Sequence, residues 1–245
     1  MLALAWVARG SGSPGRAIVL SSKSGLRRYA KLRLKKYRER ERLFLAEGEA
    51  LVREAPVRPV ALFERPEEVR ALSTLTVPSG PVAVFPFVDV GFDELLCAGS
   101  PVVLLCEVQD PGNVGTVVRS AHAFGGAVAL SRGCADLYNP KTVRATMGAL
   151  FHVPVARDVD PVEFLRLSSE VGYRSAAAVV EGGVPPRRVP GGKVLLVVGN
   201  EGAGLPAGVV RACELRVTIP SRAPSLNAAV AASILLYEAA ARVLP

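Results

Sequence analysis

The chain has 245 residues, half of them hydrophobic, which is enough to bury a sizeable core and excludes wholesale disorder. Its formal charge of +8 is concentrated, because Lys23 to Arg42 holds ten of the thirty basic residues and only two acids. That distribution points to a polyanion partner, with a merely solvated helix as the plainer alternative.

Residues 1–20 are expected to form a flexible extension. The apolar patch at the start of the chain has no basic residue ahead of it, which makes a poor signal peptide. No apolar run approaches the roughly 18 residues of a membrane helix. Cys97, Cys106, Cys134 and Cys213 include no CxxC pair, and two histidines are too few for a usual zinc site, so no metal is expected. Three of the cysteines lie in or beside apolar runs, as buried thiols of a reducing compartment do, and a cytoplasmic protein is expected.

Ser21 to Glu41 reads as a loop and then a basic helix whose thin apolar stripe (Leu26, Tyr29, Leu32 or Arg33, Tyr37) leaves it mostly exposed. Lys23, Arg27, Arg28, Lys31 and Lys35 are its candidate contacts to such a polyanion. Phe44 to Gly48 suggests a strand and turn, Glu49 to Glu54 a short helix, Val60 to Phe63 a strand and Pro66 to Leu72 a helix. After a turn at Pro78 to Pro81, Val82 to Val88 is strand-like. This makes a small α/β module over 21–96, with 97–101 as linker.

From Val102 the pattern becomes a regular βα alternation, the mark of a parallel sheet with crossover helices. Strands are expected at Val102 to Val108, Ala127 to Leu130, His152 to Val155, Tyr173 to Val180, Val194 to Val198 and Leu215 to Ile219. Helices are expected at Gly112 to Gly125, Asn139 to Ala149, Pro161 to Glu170 and beyond Asn227. In the first helix Asn113 occupies the expected N-cap, and Gly115, Arg119 and His122 share a face apart from the apolar stripe. Asn139 caps the next helix with Pro140 at its first position, and Lys141 and Arg144 at i, i+3 could hold one phosphate. In the last helix Leu226, Val230, Ile234, Tyr237 and Ala241 recur at helical spacing, so that face is expected to be core or subunit interface.

Val194 to Val198 runs into Gly199-Asn200-Glu201-Gly202-Ala203-Gly204, whose glycines permit positive φ and close approach to backbone. A dinucleotide fingerprint can be forced onto this loop, but the next strand ends Thr218-Ile219-Pro220 without the acidic residue such a site needs. Two strand-to-loop exits so close in sequence instead predict a backbone-lined pocket at the carboxyl ends of parallel strands.

Taken in order, Asn113-x-Gly-x-x-x-Arg119, Gly199-Asn200-Glu201-Gly-x-Gly-Leu205 and Ile219-Pro220…Ser225-Leu226-Asn227 closely resemble the three motifs of the SpoU/TrmH branch of the SPOUT methyltransferases. The resemblance covers Val102 to the C-terminus. It implies an α/β fold in which residues 102–245 form a SPOUT-type parallel sheet with helices on both faces and a C-terminal trefoil knot. The preceding module, with its Phe44-Leu-Ala-Glu-Gly turn, resembles a ribosomal-protein-like RNA-binding domain.

The implied activity is transfer of a methyl group from S-adenosylmethionine to a ribose 2'-hydroxyl, in ribosomal RNA before transfer RNA. A non-catalytic RNA-binding protein of the same fold is the alternative. By the same resemblance Gly199, Ile219 and Leu226 offer backbone contacts to the cofactor's adenosine, and Asn200, Gly202 and Pro220 belong to the same walls. Asn113, Arg119, Glu201, Ser225 and Asn227 line the reaction site, with Ser225 and Asn227 also touching cofactor. The family's homodimer through the knot helices is implied as well. Between Pro220 and Ser225 the chain reads Ser-Arg-Ala-Pro, shorter than the family pattern and without its Met and Gly. That departure leaves Arg222 to face either cofactor or RNA.

Overall fold

The computed structural model describes residues 23–53, 55–78, 80–97 and 101–241. The extension expected over 1–20 lies outside them, as do residues 98–100 of the expected linker. The chain forms two compact units that divide between Phe87 and Val88.

In the first unit β1 (Leu43–Glu47) and β2 (Ala61–Phe63) both pair antiparallel with β3 (Val82–Pro86), which is central. The short helices α3 (Glu49–Arg53) and α4 (Pro66–Leu72) connect them. The basic segment is not one exposed helix. It breaks into α1 (Lys23–Ala30), a 3-10 turn (Lys31–Arg33) and α2 (Lys35–Glu41), with Leu34 extended at φ −99°, ψ 129°.

Tertiary packing causes the break. Tyr29 and Leu32 are drawn into the core with Leu45, Phe63, Leu72 and Val84. The carbonyls freed at the break need donors. Arg38, 2% exposed, supplies them, with Nη1 donating to the Leu32 and Arg33 carbonyls at 2.7 and 2.8 Å. Arg33 donates to the Ala71 and Leu72 carbonyls, the last turn of α4. Two of the ten cations therefore build the fold and are not spare charge.

The second unit holds six parallel strands in the order β6-β5-β4-β8-β7-β9. They are β4 (Val102–Leu105), β5 (Ala127–Ser131), β6 (Val155–Val159), β7 (Arg174–Ala178), β8 (Val194–Val198) and β9 (Leu215–Val217). The central runs are buried along their whole length, as strands covered on both faces must be. From β4 the chain winds outward to β6, then crosses to β7 and returns to place β8 beside β4. Crevices at the carboxyl ends of strands beside such a reversal are where open α/β sheets take ligands.

The helices of this unit are α5 (Phe92–Cys97), α6 (Pro111–Ala123), α7 (Pro140–Ala145), α8 (Pro161–Glu170), α9 (Ala207–Ala212) and α10 (Ala228–Ala240). The sequence reading assigned neither α5 nor α9. The division falls ahead of the expected 97–101 because Leu95 and Leu96 of α5 pack into the core around Val102, Leu104 and Leu195.

The segment just after the division is pinned by Tyr138. Its phenol oxygen accepts the Val88 and Asp89 N–H groups at 2.7 Å each and donates to Asp89 Oδ1 at 2.6 Å. Burial, then the Asp89 carboxylate, pushes this phenol far above its ordinary pKa, so it remains a donor. Arg157 Nε lies 3.3 Å from Asp89 Oδ2, and its guanidinium stacks 5.1 Å from the Tyr138 ring centroid. Tyr138→Phe leaves these buried groups short of partners and is expected to destabilise the protein by about 2–4 kcal/mol. Urea unfolding followed by tryptophan-independent circular dichroism would measure this, and a loss below about 0.5 kcal/mol would remove the clamp from the account.

Several element ends also move. β6 starts at Val155 and not at His152, because the left-handed turn at Met147 (φ 51°) and Gly148 (φ 91°) ends the preceding helix early and a 3-10 turn intervenes. In α10 the buried face is Ala228, Ala229, Ala232, Leu235, Leu236, Ala239 and Ala240. Val230 and Tyr237, expected in the core or at a subunit interface, are 48% and 56% exposed in the single chain and so are not core.

Candidate active site

β8 delivers Gly199 into a loop that folds back on itself. Asn200 Oδ1 accepts the Gly202 and Ala203 N–H groups at 2.8 and 3.2 Å, and Gly204 N–H donates to the Asn200 carbonyl at 2.9 Å. Asn200 Nδ2 reaches the Glu107 carbonyl at 3.0 Å, tying the loop to the end of β4. Glu107 takes φ 55° there, a left-handed conformation that is uncommon for a residue with a side chain. Its N–H donates to Ser131 Oγ at 3.0 Å. No periodicity in the sequence signals this role.

The expected cap of α6 is corrected. Asp110 is the N-cap, its Oδ1 accepting the Asn113 N–H at 2.9 Å, and Pro111 holds the first helical position. That N–H, with Lys141 Nζ at 3.3 Å from Oδ2, keeps the Asp110 carboxyl below its ordinary pKa. Lys141 is thereby engaged at the mouth of α6. Asn139 caps α7 as expected, accepting the Lys141 N–H at 2.9 Å.

Because Asn113 is not the cap, its side chain is available. Its Nδ2 donates to Glu201 Oε1, and its Oδ1 accepts from Asn227 Nδ2 at 3.0 Å. Asn227 Oδ1 in turn caps α10, accepting the Ala229 and Val230 N–H groups at 3.0 and 3.2 Å. Three segments far apart in sequence thus meet in one polar chain, Glu201–Asn113–Asn227.

Beside it lies a cavity of about 640 Å³ at the carboxyl ends of β7, β8 and β9. Gly199, Asn200, Glu201, Gly202, Ile219, Pro220, Ser225 and Leu226 all line it. Glycine, alanine, valine and proline make up most of its lining, which suits a nucleoside-sized ligand. Arg222 is exposed and is not among the residues that line the cavity.

Arg119 stands apart. It lies six residues beyond Asn113 on α6, roughly 9 Å along and about 120° around the helix. It is exposed, with no hydrogen bond or ion pair among the described residues. Ser120 shares the Asn113 face and meets Ser233 of α10 at 2.7 Å, oxygen to oxygen. Gly115 serves packing and not the polar face, since a Cβ there would lie 2.5 Å from Ala145 Cβ and 2.7 Å from the Thr142 carbonyl oxygen. His122 stacks on His152, centroids 5.1 Å apart.

In the first unit Arg27, Lys31 and Lys35 are exposed, and Arg28 pairs with Glu41 at 2.7 Å. Lys31, Lys36 and Arg40 surround the Tyr37 ring at 5.6, 5.0 and 4.9 Å from its centroid. Lys36 and Arg40 were not singled out by the sequence, although their spacing around an aromatic residue was readable.

The four cysteines are free thiols. Burial pushes Cys106 up to about 12 and Cys213 up to about 11, and raises Cys134 as well. None of these three offers a thiolate at neutral pH. Among the described residues no three His, Cys, Asp or Glu side chains gather as a metal ion would require.

Residues 100–237 match the model of the SpoU rRNA Methylase family. The chain belongs to this family. The match takes in all six parallel strands and all three site loops. The chain is 36% identical over 232 residues to the 23S rRNA (guanosine(2553)-2'-O)-methyltransferase RlmP of Bacillus subtilis, covering 85% of this chain and 93% of that one. An AdoMet-bound rRNA methyltransferase from Sinorhizobium meliloti superposes with a TM-score of 0.84 at 29% identity, over 93% of this chain and 98% of that one. AviRb of Streptomyces viridochromogenes, a SpoU methyltransferase solved with AdoMet, gives 0.79 at 25% identity, over 91% and 99%. For a SpoU family member, the Glu201–Asn113–Asn227 chain is the point where the three motifs of the sequence become one site.

Proposed function

We propose that the protein transfers the methyl group of S-adenosylmethionine to a ribose 2'-hydroxyl of ribosomal RNA. The observation that carries this reading is the convergence of Asn113, Glu201 and Asn227 beside a cavity walled by Gly199, Ile219 and Leu226. The RlmP likeness over most of both chains supports ribosomal RNA as the substrate.

Gly199, Ile219 and Leu226 hold the adenosine part through backbone groups, and Asn200, Gly202, Pro220 and Ser225 complete the cradle. The bound cofactor supplies a methyl group already activated for attack by an oxygen nucleophile. The chain therefore aligns the ribose and favours the charge that develops on its 2'-oxygen. Glu201 fixes the Asn113 amide, Asn227 fixes it from the other side, and Asn113 orients the ribose. Arg119 stabilises the forming alkoxide while holding the adjacent phosphate.

The C-terminal segment threads a trefoil knot in this reading, and two copies pair through α10, which would cover Val230 and Tyr237. The first unit binds RNA through Lys23, Arg27, Arg28, Lys31 and Lys35, joined by Lys36 and Arg40 around Tyr37. Lys141 and Arg144 extend the phosphate contacts, and the protein works in the cytoplasm with its substrate.

Calorimetric titration with S-adenosylmethionine, followed by mapping of 2'-O-methylation on unmodified ribosomal RNA, tests the reading. Stoichiometric cofactor binding and one new methylated ribose are expected. Cofactor binding with no transfer to ribosomal RNA would overturn it, and methylation of transfer RNA alone would move the substrate.

A further inference from the structure

The turn from Val179 to Val184 after β7 carries one charged residue, Glu181, and both of its stems are bonded to the end of β9. Val179 N–H donates to the Val217 carbonyl at 2.9 Å, and Val184 N–H to the Arg216 carbonyl at 2.9 Å. Thr218 N–H donates to the Val184 carbonyl and Gly183 N–H to Thr218 Oγ1, both at 3.0 Å. A Cβ at Gly183 would lie 2.6 Å from the Val217 carbonyl carbon, so this close approach needs glycine. Four hydrogen bonds thus leave a short apex of Val180, Glu181 and Gly182.

Glu181 lines the cavity and has no hydrogen bond or ion pair among the described residues. Among the described residues only one other charged side chain, Glu201, is on that lining, and it is engaged by Asn113. The apex therefore holds an uncommitted carboxylate against a cavity whose other free wall is neutral. A carboxylate offers two acceptor oxygens, which suit a vicinal diol, and an acidic residue at a strand end takes a nucleoside ribose in this way in other open α/β sheets.

We infer that Glu181 accepts hydrogen bonds from the ribose hydroxyls of the cofactor's adenosine. The inference rests on reading the cavity as the S-adenosylmethionine site. Glu201 and its partners mark the end where the methyl group is used, and Glu181 sits on the neighbouring strand's loop, at the part of the cavity left for the nucleoside.

The test is calorimetric titration of S-adenosylhomocysteine and of 5'-methylthioadenosine, which lacks the amino-acid arm, into wild type, Glu181→Ala and Glu181→Gln. Loss of a charged acceptor predicts about ten- to hundredfold weaker binding of both ligands to the alanine variant, with glutamine intermediate and the melting temperature unchanged. The penalty should shrink with 2'-deoxy-5'-methylthioadenosine, which offers Glu181 only the 3'-hydroxyl. A penalty on S-adenosylhomocysteine alone would place Glu181 at the ammonium group and overturn the ribose assignment. No penalty on either ligand would overturn any cofactor contact. Failure of the wild type to bind either ligand would overturn the cofactor reading itself, and this inference with it.

Discussion

Arg119→Ala is expected to lower turnover at least about a hundredfold while changing the affinity for S-adenosylmethionine by less than about threefold. The separation follows from where Arg119 stands. It is absent from the cavity lining, so the cofactor loses no wall. It is exposed and makes no hydrogen bond or ion pair among the described residues, so its removal should leave stability within about 0.5 kcal/mol. What remains is its charge, carried on α6 six residues beyond Asn113 and available to an anionic substrate. Lysine at the same position keeps the charge but not the planar fork, so a partial rescue of no more than about tenfold is expected. Single-turnover methyl transfer and calorimetry on the same preparation measure both quantities. Full activity in Arg119→Ala would remove this residue from the reaction, and a parallel collapse of cofactor binding would make it a cavity residue instead.

The parts of this site that the sequence made legible are those dictated by local rules. Val194 to Val198 is apolar throughout and stops at glycine, which suffices for a buried parallel strand and its exit loop. Asn139-Pro140 was readable as cap and first position. Asp110-Pro111 carries the same signal, yet Asn113 three residues later is also a good cap, and proline at the first position is what decides between them. The difference matters, because a capping Asn113 would turn its Oδ1 to the N–H groups of α6 and away from Asn227 Nδ2.

Longer-range packing hid the rest. α10 is apolar nearly all round, so helical spacing fits two faces equally well, and only the sheet beneath shows which is buried. Nothing at Leu34 breaks a helix by itself; Tyr29 and Leu32 are pulled inward from one side and Arg38 closes the gap from the other. Glu107 and Glu181 matter through backbone geometry and position in a loop, and no residue pattern announces either.

Gly199→Ala is expected to weaken binding of S-adenosylhomocysteine at least about a hundredfold and to lower stability by about 1–3 kcal/mol. A Cβ at Gly199 would fall 2.5 Å from both the carbonyl carbon and oxygen of Gly204 and 2.6 Å from the Leu205 nitrogen. All three are backbone atoms, so no rotamer can relieve the contact and the loop must lift off the end of β8. That movement strains the bonds by which Asn200 holds Gly202, Ala203 and the Glu107 carbonyl, and with them the wall that carries Glu201. The other glycines of the region provide graded controls. Gly204 has open space for a Cβ but sits at φ 69°, so alanine there should cost about 1 kcal/mol with a smaller effect on binding. Gly208, inside α9 with nothing within 4 Å, should accept alanine with no loss of stability or binding. Thermal melts and calorimetry on the three variants check this ranking. If Gly199→Ala binds like wild type, the loop after β8 is not the cofactor's wall, and the folded-back geometry of Asn200 serves the fold alone.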